Sequence, residues 1–299
     1  MIRQELKNKI EDLHTIYHKL QNEFPQAMQE ILMSEIPEMV YNSNAIENST
    51  LTLEETEAIL FLGAIKRDHE IREIYEAKNL AQVIEYLQAT KENFSIELIL
   101  KLHNMLLTQI RDDIAGRFRW GDEWVRVGHH LGANPAFVNG LMHELVDHYH
   151  KDKKTYFLEK IAHFHAEFET IHPFGDGNGR IGRVLINKQL MDFGYPPIII
   201  PNKSKKSDYY PLFELYLKKN DARGFGQLFA LLLLESLHKR ITLLTSKKIL
   251  SLNEWTKKHG KTPNTLLNKA KRQTIPAFRK GGKWMISADF CEDMETLAH

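Results

Sequence analysis

The stretch that decides the fold is His172-Pro-Phe-Gly-Asp-Gly-Asn-Gly-Arg-Ile-Gly-Arg183. Gly175, Gly177 and Gly179 let the chain wind tightly and turn several backbone N–H groups the same way, directly ahead of a predicted helix. Such a nest holds anions, phosphate above all. Arg180 and Arg183, three positions apart in the first helical turn, can reach the outer phosphates of a polyphosphate with forked hydrogen bonds. Asp176 would be repelled by phosphate, and is better suited to a Mg²⁺ ion that bridges phosphate oxygens. Asn178 offers a neutral amide donor. His172 closes the preceding helix as the group whose ordinary pKa lets it accept a proton near pH 7. No strand precedes the loop and no Gly-Lys-Ser/Thr follows it, so it is not a Walker loop.

Outward from this loop the chain reads as helix on both sides. Leu158, Ile161, His165 and Phe168 share a face upstream, and Val184, Leu185, Lys188 and Met191 continue the pattern downstream as far as Gly194, with Pro196 beyond as a stop. The two helices form a hairpin whose connecting loop is exposed. Further helical periodicity covers residues 1–40, where Ile10, Leu13, Ile16, Tyr17 and Leu20 line one face, and the segments 141–149, 211–217 and 225–237. Thr52 with Glu55 is a capping box, and Ser95 opens a helix through Leu106 that ends before Gly116. Between Gly116 and Pro135 the texture turns aromatic and branched around a Gly121-Asp122 pair, as in a short β-hairpin. The fold class is therefore mainly α with one small β flap.

Length and charge set the limits. The 299 residues, 42% apolar and 26% charged, suit a folded chain of two units and exclude a disordered or fibrous one. Forty Lys and Arg nearly cancel thirty-nine Asp and Glu, yet residues 245–299 carry a net charge of +6 against −5 for the rest. The single Cys291 rules out an internal disulfide framework and a cysteine-built zinc site, and fits a reducing cytoplasm. No signal-like segment opens the chain, and the apolar run Leu228–Leu234 falls far short of the roughly 20 residues of a membrane span. A cytoplasmic protein with no membrane partner is expected.

Residues 172–183 resemble the signature of Fic (filamentation induced by cAMP) proteins, His-x-Phe-x-Asp/Glu-Gly-Asn-Gly-Arg-x-x-Arg, at every defined position. The resemblance extends through Ala162, His165, Phe168 and Ile171, the Gly116-Arg-Phe-Arg segment, Pro135 and Leu141-Met-His-Glu, and covers residues 40–240. It implies a Fic helical core with a β-hairpin flap, and a protein adenylyltransferase that moves AMP from ATP to a Ser, Thr or Tyr hydroxyl of a target protein, with release of pyrophosphate. His172 would then take the hydroxyl proton, and Asp176 would hold Mg²⁺ between the α- and β-phosphates. Gly177, Asn178 and Gly179 would form the anion hole, Arg180 and Arg183 would orient the β- and γ-phosphates, and Phe174 would anchor the loop as core. The flap would align the target by backbone pairing along Val125, Arg126 and Val127. Glycines at 177 and 179, with no lysine in place of the second, set the chain apart from the phosphotransferase branch known from Doc toxins.

Ser43-Asn-Ala-Ile-Glu-Asn48 resembles the family's inhibitory motif, Ser/Thr-x-x-x-Glu-Gly/Asn, placed ahead of the Fic core within a helix at about 40–50. By that resemblance Glu47, with Ser43 one turn before it, would pair with Arg183 and hold the position of the γ-phosphate. Two roles for Glu47 stay open: a brake on AMP transfer, or activation of water to remove AMP from modified targets.

Other residues carry less. His163 and His165 face different sides of a helix, so His165 reads as a core histidine bonded to backbone rather than a metal ligand. His129 and His130 raise the same metal question. Trp120 and Trp124 read equally as packing residues or as a grip on adenine or a peptide. The basic tail has the order helix, turn, helix near Thr262, and hairpin with a Gly281-Gly282 tip, which resembles the winged-helix modules of excisionase-type DNA binders. That order serves DNA binding or protein contacts and dimerisation equally. The expected organisation is a helical region at 1–90, a Fic core at 91–240 and a winged-helix module at 245–299, and a DNA-binding regulator that uses its Fic domain as a nucleotide sensor is the rival to the enzyme.

Overall fold

The computed structural model describes residues 1–65, 67–127 and 130–291. The chain divides into two compact units, one of Ser34–Leu228 with Met1, the other of Ile2–Met33 and the chain from Phe229 onward. This division differs from the expected segments. Helix α1 (Gln4–Glu23) groups with the C-terminal unit, where the Lys9 ammonium donates to the Gln273 carbonyl at 2.9 Å. Residues 1–40 also form two helices instead of one: α1 ends at Glu23, Phe24 leaves helical geometry at φ −128°, and Pro25 opens α2 (Pro25–Ile46) with the fixed φ that suits a first helical position.

In the first unit, α3 (Leu53–Glu57) carries the expected capping box: the Thr52 hydroxyl accepts the Glu55 N–H at 3.2 Å and the Glu55 carboxylate accepts the Thr52 N–H at 2.9 Å. Next come α4 (Ile71–Ala89) and α5 (Ile96–Leu107), the latter capped by Ser95, whose hydroxyl accepts the Leu98 N–H. Asn79, buried on α4, satisfies the carbonyls of Leu106 and Thr108 at the end of α5 (3.0 and 2.7 Å), groups that a helix terminus leaves unpaired. The flap is shorter and shifted relative to its expected turn. Strands β1 (Arg126–Val127) and β2 (His130–Leu131) pair antiparallel, so Gly121-Asp122 lies in a separate turn before them. His129 lies outside the described residues.

Helices α6 (Pro135–Lys151), α7 (Phe157–Ile171) and α8 (Asn178–Asp192) complete the core, in which Leu102, Leu106, Leu107, Met142, Phe168, Phe174 and Ile181 are fully buried. α7 and α8 are the expected hairpin, but its connection is not exposed as expected: Pro173, Phe174, Gly177 and Asn178 are buried. Its connection is held from outside by Arg119, a side chain only 2% exposed. The Arg119 guanidinium donates to the carbonyls of His172 (2.7 Å), Ile171 (2.9 Å) and Ala133, and its backbone N–H donates to Pro173 O at 2.9 Å. One cation thus satisfies the free carbonyls at the end of α7 and ties them to the strand leaving the flap. α9 (Tyr210–Lys219) and the start of α10 (Arg223–Thr245) close the unit.

In the second unit, α10 buries Phe229, Leu233, Leu234 and Leu237, as its apolar run predicts. β3 (Ile249–Ser251), α11 (Leu252–His259), α12 (Pro263–Lys271), β4 (Phe278–Lys280) and β5 (Lys283–Ser287) follow, with an antiparallel sheet ordered β3-β5-β4. Gly281 and Gly282, at φ +56° and +75°, make the tight turn between β4 and β5. Thr262 stands at the N-cap of α12 without a capping bond. Leu252, Trp255, Leu266, Ala270 and Ile286 form this unit's own small core. No helix among the described residues is long and apolar enough to cross a membrane.

Replacing Arg119 by Ala strands several buried carbonyls together, and each charged hydrogen bond is worth about 1.5–3 kcal/mol. Thermal unfolding of Arg119→Ala should show a loss on the order of 3 kcal/mol, and Arg119→Lys should recover little of it because an ammonium lacks the planar fork. An unchanged melting temperature would refute the clamp.

Candidate active site

His172 is the pivot of the α7–α8 connection. It adopts a left-handed conformation, φ +53°, and its N–H bonds Phe168 O at 2.9 Å, so α7 ends on it and the chain reverses. The ring donates from Nδ1 to the carbonyl of Glu169 at 3.3 Å, which leaves Nε2 as the acceptor. Burial draws its pKa down to about 4, with the Glu169 carbonyl and Glu47 resisting. At pH 7 the imidazole is neutral and able to take a proton.

Phe174 points inward as expected, fully buried, its ring stacked on His103 of α5 at 3.6 Å between centroids. His103 accepts the Gly116 N–H at Nδ1 and donates from Nε2 to Asp176 O, both at 3.0 Å, so this buried ring carries the loop. The Asn178 side chain departs from its expected role. Its carbonyl oxygen accepts the Phe174 N–H and its amide donates to Phe174 O, both at 2.8 Å, so the side chain, only 3% exposed, locks the loop from within instead of facing a ligand. Only its backbone N–H is left for an anion hole. Gly177 caps α8 at φ +77°, a conformation that an L side chain rarely adopts.

The two arginines are both paired. Arg183, 7% exposed, donates from Nε to the Ser43 hydroxyl at 3.0 Å and from Nη2 to Ser43 O at 2.9 Å and Glu47 Oε1 at 2.7 Å. Glu47 stands just past the end of α2, with its carboxylate over Gly179 in the first turn of α8, where a methyl group would collide with it. A carboxylate thus sits at the helix N-terminus, the place an anion prefers. Partial withdrawal from water works against its charge, but Arg183, by charge and hydrogen bond, with Arg180 and His172, holds its pKa below the usual carboxylate range.

Arg180 and Asp176 belong to a ring of alternating charge that the sequence reading missed. Arg72 on α4 donates to Glu76 at 2.9 Å and to Asp176 at 2.5 Å, while Arg180 lies 3.0 Å from Glu76 and 3.2 Å from Asp176. Arg72 and Glu76 have the i,i+4 spacing of an ordinary surface pair, and Asp176 lies more than a hundred positions away, so nothing local marks them. Glu169, one turn before His172, was also passed over.

The expected flap residues stand beside the site. Val125 O accepts the Gly132 N–H at 3.1 Å, one step beyond the paired Arg126 and Val127, and His130 Nε2 donates to Thr170 O at 3.2 Å, which ties the flap to α7. Trp120 and Trp124 are 68% and 50% exposed, which removes the packing alternative. His165 is the expected buried histidine, hydrogen-bonded to the backbone of Gly182, and its Nε2 also meets the Tyr209 hydroxyl at 2.7 Å. Among the described residues, no cluster of three or more His, Cys, Asp or Glu could hold a metal ion.

Residues 93–190 match the Fic/DOC family. The chain is 30% identical over 217 residues to the protein adenylyltransferase fic-1 of Caenorhabditis elegans, covering 70% of this chain and 42% of that protein. It is 33% identical over 196 residues to the protein adenylyltransferase Fic of Drosophila willistoni, covering 64% and 39%. It therefore spans less than half the length of these curated relatives. Among solved structures, Fic-1 from C. elegans superposes with a TM-score of 0.69 at 28% identity, over 80% of this chain and 71% of that one. A Fic domain containing signaling protein from Bacteroides thetaiotaomicron gives 0.70 at 26%, over 79% and 97%. A Fic family protein from Desulfovibrio desulfuricans, at 22% identity, shares the fold over 98% of both chains with a TM-score of 0.67. The chain has the Fic fold, and residues 93–190 carry the Fic/DOC family match.

Proposed function

We propose that this protein is a protein adenylyltransferase that moves AMP from ATP to a hydroxyl side chain of a target protein, and that Glu47 restrains it. The observation that carries the reading is the placement of Glu47: a carboxylate bound to Arg183 at the N-terminus of α8, where the chemistry of the loop otherwise suits a phosphate.

In this reading His172 Nε2 takes the proton of the target hydroxyl, whose oxygen attacks the α-phosphorus, and pyrophosphate leaves. The backbone N–H groups at the start of α8 and the Arg180 and Arg183 guanidiniums receive the phosphate charge, with the oxyanion-type stabilisation that fixed dipoles supply. Ser43 keeps the Arg183 fork oriented. Asp176 suits Mg²⁺ in its chemistry: a carboxylate, 27% exposed, at the same helix start, of the kind that holds the ion together with substrate phosphates and water. The ion would neutralise phosphate charge. The flap strand beside His172 would supply an edge for pairing with a target segment.

Incubation with ATP labelled at the α-phosphate should label protein, and ATP labelled at the γ-phosphate should not. Glu47→Gly frees Arg183 and should raise labelling at least roughly ten-fold, the factor that a 1.4 kcal/mol contact supplies. His172→Ala in that background should abolish it. Label from the γ-phosphate alone would overturn AMP transfer. Equal labelling by wild type and Glu47→Gly at saturating ATP and Mg²⁺ would overturn the brake, and AMP release from labelled protein that needs Glu47 would assign this residue to removal instead.

A further inference from the structure

Glu169 has no part in the chemistry so far. It lies on α7 one turn before His172, its side chain only 9% exposed, with Oε2 at 3.7 Å from Nδ1 of the His172 ring. Its Oε1 is buried without a hydrogen-bond partner, a condition native structures rarely tolerate without cause. The facing helix makes room for it, because a methyl group at Gly182 on α8 would collide with Oε1. Arg183 from α8, Glu47 from the end of α2, and Tyr209 and Tyr210 ahead of and within α9 are the charged and titratable groups that act on it, with His165 one turn earlier on α7.

We propose that Glu169 is a positioning residue for His172: a buried carboxyl behind Nδ1, beside the backbone carbonyl that orients the ring, which strengthens the ring as a base when it ionises. The proposal rests on His172 being the proton acceptor. When the hydroxyl proton passes to Nε2, the hydroxyl oxygen bonds to the α-phosphorus, the bond from that phosphorus to the leaving pyrophosphate oxygen breaks, and an imidazolium is left facing Glu169. A carboxylate there stabilises the positive ring and a neutral acid does not. Burial raises the Glu169 carboxyl to about 8, with Arg183 opposing and Glu47 assisting. Below that pH Glu169 is neutral and His172, with its pKa near 4, is a weak base. Above it the carboxylate forms and the ring becomes more basic. The rate should therefore climb with pH through about 8, instead of following the limb near 6.5 that an isolated histidine gives.

Glu169→Gln keeps the shape and removes the ionisation. In the full chain with isotope-labelled histidine, the His172 ring signal, assigned by its loss in His172→Ala, should move with a midpoint near pH 8 in the wild type and lose that transition in Glu169→Gln. This measurement needs no turnover, so it stands whether or not the chain transfers AMP. In the Glu47→Gly background, Glu169→Gln should lower kcat at pH 9 by about ten-fold, leave KM for ATP unchanged and flatten the alkaline limb. A folded-state pKa raised above the unfolded value means that ionisation withdraws stability as pH climbs from the ordinary carboxylate range through about 8, so Glu169→Gln should melt above the wild type at pH 9. An identical ring titration in the two proteins, or an alkaline limb that survives the substitution, would overturn the proposal.

Discussion

Everything at the α7–α8 connection depends on one buried guanidinium. Arg119 gathers the last carbonyls of α7 and the strand leaving the flap, and so makes a tight reversal at His172 affordable despite its left-handed backbone. His103 performs the complementary task from below, with Phe174 stacked on its face and the Asp176 carbonyl on its edge. Between these two supports the loop has little freedom. The ring of His172 and the N-terminus of α8 are presented in fixed positions, which is what catalysis by positioning requires.

The site's charges are balanced before any ligand arrives. Arg183 is held by Glu47 and Ser43, while Asp176 and Arg180 are held in the ring with Arg72 and Glu76. Buried charges without partners are costly, so a phosphate-binding centre in a ligand-free protein needs internal substitutes for the anion and the cation it will bind. In the proposed function, Glu47 on Arg183 stands in for the anion and Arg72 on Asp176 for the cation. On that proposal, a nucleotide with its metal would exchange these partners for new ones, and the net gain on binding would be a difference between two well-paired states.

Much of the site was legible because it is local. The residues from His172 to Arg183 are contiguous, and the glycine spacing, the helix start and the two arginines three apart can be read along the chain. Capping at Thr52 and Ser95 was legible for the same reason, since a cap depends on residues three positions apart. Ser43 and Glu47 could be read only through resemblance to a family pattern, since a glutamate after a helix has no distinguishing local feature. Asn178 shows the limit of local reading: an amide that looks free to bind a ligand is buried and bonded to Phe174 once the loop closes.

By itself the sequence determined the helical texture, the loop, the identity of its chemical groups and the charge asymmetry hidden in a total of +1. Tertiary structure alone decided which groups meet. Arg119 reaches α7 across fifty positions, Arg72 reaches Asp176 across a hundred, and α1, with the start of α2, groups with the C-terminal unit. Periodicity states which face of a helix is apolar, but the partner of that face, and the pairing of each charge brought near it, follow from packing that involves the whole unit at once.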